Sequence, residues 1–404
     1  MQVFFSGHNS CLNRGCEAFV RTTAEAIRGR WPSVRINMPT NTPAYDAGAL
    51  STMGDCLHPQ ARQPGLVERV VVHAQQRRGL AVRSVWPGPV PAAWHQAHAA
   101  ADLVIAVGGD TYSLDYGVPG AIAGFDGTAA SRGVPVVLWG ASVGPFRTLP
   151  AYERALAQSL ARYRLIGARE SLTRAYLEGE LGLGNVVGMV DPAFDLSPEA
   201  LPCDDGTLQQ LAGARRVIGL NLSHLIATRA GGEPALATEV GHWLRCVLGD
   251  PQTRVVFIPH VADRHRDARG DAALMRRLVA AAGLSATQAK RVVHAGDDWR
   301  AGQYKALVGR CDVLIAARTH LTIAGFSQGV PTVSLGYSQK ALGLNRDIYG
   351  TERFHMPVDG MSAAALQTGL EAALEASATM SAQSLQYTRT GLERNQAILS
   401  RFSA

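Results

Sequence analysis

Apolar runs of four to six residues alternate along this chain with stretches whose apolar positions recur every three or four residues. The first pattern predicts buried strands and the second amphipathic helices. In the first half the strands are expected near 2–6, 34–37, 102–107, 134–139, 164–168 and 186–189. Helices are expected between them near 16–30, 67–79, 91–101, 120–132, 150–161 and 171–181. The rhythm then restarts, with strands at 217–222, 255–259, 291–294, 313–316 and 330–335. Helices at 233–249, 270–283 and 299–309, and a short helical run after 316, separate them. Such alternation is the signature of βαβ units and parallel sheets.

The segment Ser197 to Gly206 is polar and carries Pro198 and Pro202, so it reads as the boundary between two similar halves. The expected fold is α/β, with two Rossmann-like domains facing across a cleft (1–196 and 207–360) and C-terminal helices over 361–404 that pack back. Ser362 is a candidate N-cap for a helix at 363–376. A last helix is expected at 379–402, where Leu385, Leu392 and Leu399 repeat at seven-residue spacing. Three such positions are too few for a coiled coil, and packing back onto a domain is the expectation.

Composition narrows the class. The 404 residues suffice for two domains, and with 47% apolar and 18% charged residues they can bury substantial cores. A net charge of +6 is modest for this length and makes no case for nucleic acid. Lysine is confined to Lys290, Lys305 and Lys340, so 39 − 3 = 36 of the basic residues are arginine, and Lys340 stands out. The six cysteines, Cys11, Cys16, Cys56, Cys203, Cys246 and Cys311, form no CxxC pair. They read as the reduced thiols of a cytoplasmic protein. His8 with Cys11 and Cys16 lacks a second ligand pair, and no metal is expected. The chain opens on a strand without a charged-then-apolar leader, and no run approaches the ~20 apolar residues of a membrane span. A basic segment from Arg62 to Arg83, including Arg69, Arg77 and Arg78, with Trp86 and Trp94 nearby, reads first as a solvated face. Peripheral contact with the inner face of a membrane is its second reading.

Candidate chemistry gathers where predicted strands end, since ligands of parallel sheets bind outside carboxyl ends. After the first strand comes the glycine-containing loop Ser6 to Ala18, in which Asn9, Asn13 and Glu17 are candidates for sugar hydroxyls or, equally, for capping the next helix. It matches neither a dinucleotide nor a phosphate-loop motif. The strand from Asp102 breaks into Gly108-Gly109, which permits close approach to the backbone, and Asp110 and Tyr112 follow on the rim. A third exit, Gly140 to Pro145, contributes Ser142, and a fourth places Arg169 as a candidate carboxylate or phosphate clamp before Glu170 and Ser171. In the second half His224 and His260 follow the first two strands; His260 with Asp263 is a candidate for orienting a donor. Arg318 and His320 leave the 313–316 strand, and Lys340 leaves the next. Two fixed cations and an imidazole, whose ordinary ionisation lies near pH ~6.5, suit a small, strongly anionic, phosphorylated acid undergoing proton transfer.

Six motifs in order, over roughly residues 3–350, carry a resemblance to the polysaccharide pyruvyl transferases. They are Asn13-x-Gly15-x-Glu17-Ala18, Asp102 to Gly109, Gly140 to Pro145, Arg169 to Ser171, Asp191 to Phe194, and Arg318-x-His320 with Gly329 to Pro331, Tyr337 and Lys340. The resemblance implies a GT-B fold and transfer of the pyruvyl unit of phosphoenolpyruvate to a carbohydrate acceptor, free or lipid-linked, as a cyclic ketal. It implies donor binding by Arg169, Arg318, His320 and Lys340, and no nucleotide cofactor or metal. The chain departs from the family pattern at Cys16, where an Asp is common, and at Asp110, where a third glycine is common. Two competing readings are a GT-B glycosyltransferase using a nucleotide sugar and a carbohydrate-binding protein without activity.

Overall fold

The computed structural model describes residues 1–50, 57–59, 65–78, 92–114, 117–202, 206–262, 270–336 and 339–402. Cys56, Arg62, Arg83, Trp86, Cys203, Asp263 and Tyr337 lie outside the described residues. The chain divides into two compact units. The first comprises Met1–Cys11, Phe19–Pro192 and Gly391–Ala404, and the second Leu12–Ala18 and Ala193–Thr390.

The first unit holds a seven-stranded parallel sheet in the order β3-β2-β1-β4-β5-β6-β7. Its strands are β1 (Gln2–Ser6), β2 (Arg35–Thr40), β3 (Leu57–Pro59), β4 (Leu103–Ala106), β5 (Val136–Ala141), β6 (Leu165–Ala168) and β7 (Val186–Gly188). Successive residues of β1 point to opposite faces, and both faces are covered. Phe4 joins Val104, Leu138, Phe125 and Tyr152 in one core. Val3 and Phe5 join Ile105, Val137 and Phe19 in the other. Two-sided burial is why these strands read as unbroken apolar runs rather than alternating ones.

The second unit repeats the plan with six parallel strands in the order β10-β9-β8-β11-β12-β13. They are β8 (Arg216–Asn221), β9 (Thr253–Phe257), β10 (Val292–His294), β11 (Val313–Ala316), β12 (Thr332–Gly336) and β13 (His355–Pro357). The register sets Asn221 beside Ala316 and Ala316 beside Ser334, so the carboxyl ends of the central strands finish level. In both sheets the strand order reverses between the first strand and the fourth. Connections there leave in opposite directions and open a crevice at the carboxyl edge.

The expected strands and long helices are present within a few residues. Helices Pro43–Ala49, His224–Arg229 and Gln339–Tyr349 and the three-residue strands β3 and β13 were not expected. All but the eleven-residue Gln339–Tyr349 are too short to carry a readable periodicity. The helix expected at 171–181 is Ser171–Ala175 continued by a wider π turn, Tyr176–Glu180.

The domain limits need correction. The first unit ends at Pro192, ahead of the polar 197–206 segment. Phe194 is already tied into the second unit, where its carbonyl accepts the buried Lys305 ammonium at 3.0 Å and its ring lies 5.7 Å from that of Tyr387. The 361–404 region is not a separate piece. Ser362 caps the helix Ala363–Glu375 as expected, accepting the Ala365 N–H at 3.1 Å, and that helix packs within the second unit. The final helix, Ser377–Ser400, ends in the first unit, where the Asn395 amide exchanges two hydrogen bonds with the Val190 backbone at 3.1 and 2.9 Å. Its buried stripe is Met380, Ser384, Thr388, Asn395 and Ile398, one position away from the leucines, and Leu385 is exposed.

One buried carboxyl lies on the helix Gly120–Ser131. Asp126 is fully buried and accepts the Tyr112 hydroxyl at 2.7 Å, while Tyr112 and Tyr163 share a hydrogen bond of 2.9 Å. Burial pushes the Asp126 carboxyl up to about 7, against the hydrogen bond from Tyr112. A raised folded-state value favours the folded protein most below the ordinary carboxylate range, and that contribution is lost as pH rises through about 7. Denaturant unfolding of the wild type and Asp126→Asn should therefore show the wild type gaining relative stability between pH 8 and pH 5. A stability difference that ignores pH would contradict a neutral buried carboxyl.

Candidate active site

The carboxyl edge of the second sheet is organised by two buried polar side chains. Asn221, at the end of β8, donates to the Ile258 carbonyl at 2.8 Å and accepts the Arg318 backbone N–H at 3.0 Å. It thereby couples the ends of β9 and β11. Asp271, fully buried, receives Nε and Nη2 of Arg318 at 3.2 and 2.7 Å. It also accepts the backbone N–H groups of His260 and Val261, each at 3.1 Å. One carboxylate thus fixes the guanidinium leaving β11 and the loop leaving β9, while 24% of the Arg318 side chain stays accessible.

The loop Leu12–Ala18 completes this edge. Its Arg14 N–H donates to the His260 carbonyl at 3.0 Å, and its Leu12 carbonyl accepts the Ala262 N–H at 2.9 Å. Asn13 forms an antiparallel bridge with Val261, and its side chain accepts the Gly15 N–H at 2.9 Å. Gly15 lies directly against His320; a β-carbon there would fall inside the imidazole. Arg14 is almost fully buried, with Nη2 at 2.7 Å from Asp298. His260 is 4% exposed, and burial, then the neighbouring His320, Arg318 and Arg14, hold it well below the ordinary histidine range. It is a neutral imidazole in a cationic pocket, and neither ring nitrogen has a hydrogen-bond partner among the described residues.

Several expected residues gather here: Arg318, His320, His260 and Asn13. Lys340 is the second residue of the helix Gln339–Tyr349 after the neighbouring β12 and is 9% exposed. Glu17 is corrected. It is fully buried, accepts the Ala301 N–H at 3.2 Å and lies 3.8 Å from Arg14, which makes it an internal strut and not an open sugar contact.

The first unit builds a different edge. Arg169 is wholly buried. It donates to Ser142 Oγ at 2.9 Å, to Asp191 at 2.7 Å and to Asp110. Its expected role as an anion clamp is corrected, because two carboxylates already meet its charge. It positions Asp110, whose side chain remains 17% exposed. The diglycine has a related explanation. Gly108 takes a positive φ of 105°, and a β-carbon on Gly109 would collide with the Arg169 guanidinium. The backbone is approached by an internal side chain and not by a substrate. Glu170 caps the following helix, accepting the Thr173 N–H at 2.7 Å.

His8, Cys11 and Asp46 place potential ligand atoms within 4.8 Å of one another in the same unit. The Asp46 carboxylate already accepts His8 Nε2 at 2.8 Å, the Cys11 N–H at 3.0 Å, the Thr42 hydroxyl at 2.9 Å and the Thr40 hydroxyl. Each of its oxygens takes two hydrogen bonds, which is the arrangement of a structural hub.

Comparison with known proteins identifies the lineage of this site. The family model described as polysaccharide pyruvyl transferase matches residues 13–339. The chain belongs to the polysaccharide pyruvyl transferase family. Among curated proteins none matches it in sequence at a significant level. Solved structures share its fold. A putative UDP-N-acetylglucosamine 2-epimerase from Listeria monocytogenes aligns with a TM-score of 0.61 at 11% identity, covering 95% of this chain and 90% of that one. The UDP-GlcNAc 2-epimerase from Neisseria meningitidis gives 0.59 at 11%, covering 98% and 99%. The spinosyn forosaminyltransferase SpnP gives 0.57 at 12%, covering 99% and 100%. At such identities the likeness establishes the GT-B type of fold alone.

In this pyruvyl transferase family member the sequence reading passed over Arg14, Asn221 and Asp271. Arg14 stood within a quoted motif but at an unassigned position. Asn221 was legible as a polar residue ending an apolar strand. Asp271 carried no local signal, because its partners lie 10, 11 and 47 residues away.

Two outcomes follow. Gly15→Val should displace the His320 ring and destabilise the protein by about 1–3 kcal/mol, read as a lowered Tm; an unchanged Tm with unchanged His320 NMR shifts would refute the contact. Asp271→Asn should release Arg318 and weaken binding of a small dianion at least several-fold, read by calorimetry. Equal affinity in the two proteins would show that Asp271 does not hold Arg318 for binding.

Proposed function

We propose that this pyruvyl transferase family member moves the pyruvyl unit of phosphoenolpyruvate onto two hydroxyls of a sugar in a surface polysaccharide or its precursor, forming a cyclic ketal. The observation that carries this reading is the packing of His320 on Gly15 beside Arg318, His260 and Arg14 at one strand-end crevice. The Arg318 guanidinium, which keeps 24% of its side chain accessible, suits a donor with a carboxylate and a phosphate on one carbon.

His320 delivers a proton to the methylene carbon of the donor, and the adjacent carbon becomes oxocarbenium-like. A sugar hydroxyl adds to that carbon and gives up its proton. The C–O bond to phosphate breaks, phosphate leaves with one proton, and the second hydroxyl closes the ring as its own proton returns to the imidazole. Arg318, held by Asp271, receives the carboxylate, and Lys340 stabilises the departing phosphate. His260, kept neutral by its surroundings, serves as a hydrogen-bonding partner and not as a further cation. The scheme needs neither a nucleotide cofactor nor a metal.

Incubation with phosphoenolpyruvate and a panel of glycosides should give a pyruvate-ketal mass gain matched by released phosphate. His320→Ala should lower the rate roughly 10²–10⁴-fold. Near wild-type turnover in that variant would remove the assigned role. The spinosyn rhamnosyltransferase SpnG is described in complex with thymidine diphosphate, so nucleotide sugars form the control arm. Sugar transfer from them without ketal formation would replace this reading with glycosyl transfer.

A further inference from the structure

Among the described residues the large apolar side chains that stay exposed are few, and most fall on one helix. Leu66, Val67, Val70 and Val71 are 79%, 76%, 62% and 49% exposed, and the others are Met1, Leu208 and Leu385. All four belong to Leu66–Arg77 in the first unit. At 100° per residue they occupy one arc of the helix surface, about 140° wide. An apolar stripe of that width ordinarily faces a core. Here it faces outward, although the helix also packs near the helix Pro150–Leu160.

The surrounding sequence says what such a face would meet. From 61 to 83 the chain carries Arg62, Arg69, Arg77, Arg78 and Arg83 against the single acid Glu68, a local net charge of 5 − 1 = +4. Arg62 and Arg83 lie outside the described residues, and Arg78 is exposed. Exposed valines and leucine within an arginine-rich stretch match the two attractions of an anionic bilayer, apolar burial at the headgroup boundary and charge. No helix among the described residues is long and apolar enough to cross a membrane. Contact through this face would be peripheral.

We infer that the helix Leu66–Arg77 docks this protein on the surface of a membrane rich in anionic lipids. This does not rest on the proposed reaction, and its test is separate from it. The whole protein is floated with vesicles of phosphatidylcholine alone, and with vesicles containing phosphatidylglycerol, at low and high salt. It should rise with the anionic vesicles, lose most of that binding in high salt, and stay behind with phosphatidylcholine. Val67→Ser combined with Val70→Ser should reduce the bound fraction about tenfold, with an unchanged circular dichroism spectrum. Anionic-vesicle binding that is absent, or equal in the double variant, would overturn the inference. So would a concentration-dependent dimer that the double variant abolishes, since the face would then belong to a second copy.

Discussion

Guanidinium groups taken out of water require carboxylates, and the strand-end architecture of both units is arranged around that requirement. Arg169 is buried against Asp191 and Asp110, Arg14 lies beside Asp298, and Arg318 is held by Asp271. Removing one partner from a buried ion pair generally costs about 3–5 kcal/mol, because a desolvated charge remains. That cost applies to Arg169 with Asp191, both wholly buried, and is smaller where Asp298 or Arg318 stays open to water. The pairs differ in what they leave open. Arg169 is shut inside its unit, whereas Arg318 keeps a quarter of its surface. That difference separates a guanidinium enclosed by its own unit from one that keeps contact with solvent.

Glycine complements the ion pairs. Gly109 admits the Arg169 guanidinium and Gly15 admits the His320 ring. In both cases a missing β-carbon provides room for a functional-looking side chain of the same unit. The glycine exits of a parallel sheet invite a reading as ligand cradles, and here two of them are clearances for internal packing. Gly109 with Arg169 and Gly15 with His320 are each two halves of a single contact.

The fold leaves the chemistry open. Structures of similar shape are described as epimerases and glycosyltransferases, and the family model describes a pyruvyl transferase. The local set at the second carboxyl edge of this chain is an accessible arginine, an imidazole seated on glycine, and a neutral buried histidine. Function on such a scaffold resides in the site and not in the sheet order.

The alternation of apolar runs and helical stripes was enough, by itself, to place most strands, the parallel α/β class and the residues at strand ends, because backbone periodicity is written within a few neighbouring positions. That Arg318, His320 and Lys340 follow strand ends was legible for the same reason. What only the tertiary structure decided was partnership. That Leu12–Ala18 joins the second unit, that Arg169 is neutralised, that Glu17 caps Ala301 and that Asp271 holds Arg318 all depend on contacts between residues 22 to 284 positions apart. Even the stripe of the last helix shifted by one position, since side-chain burial is settled by the surface that arrives from elsewhere and not by the spacing of leucines.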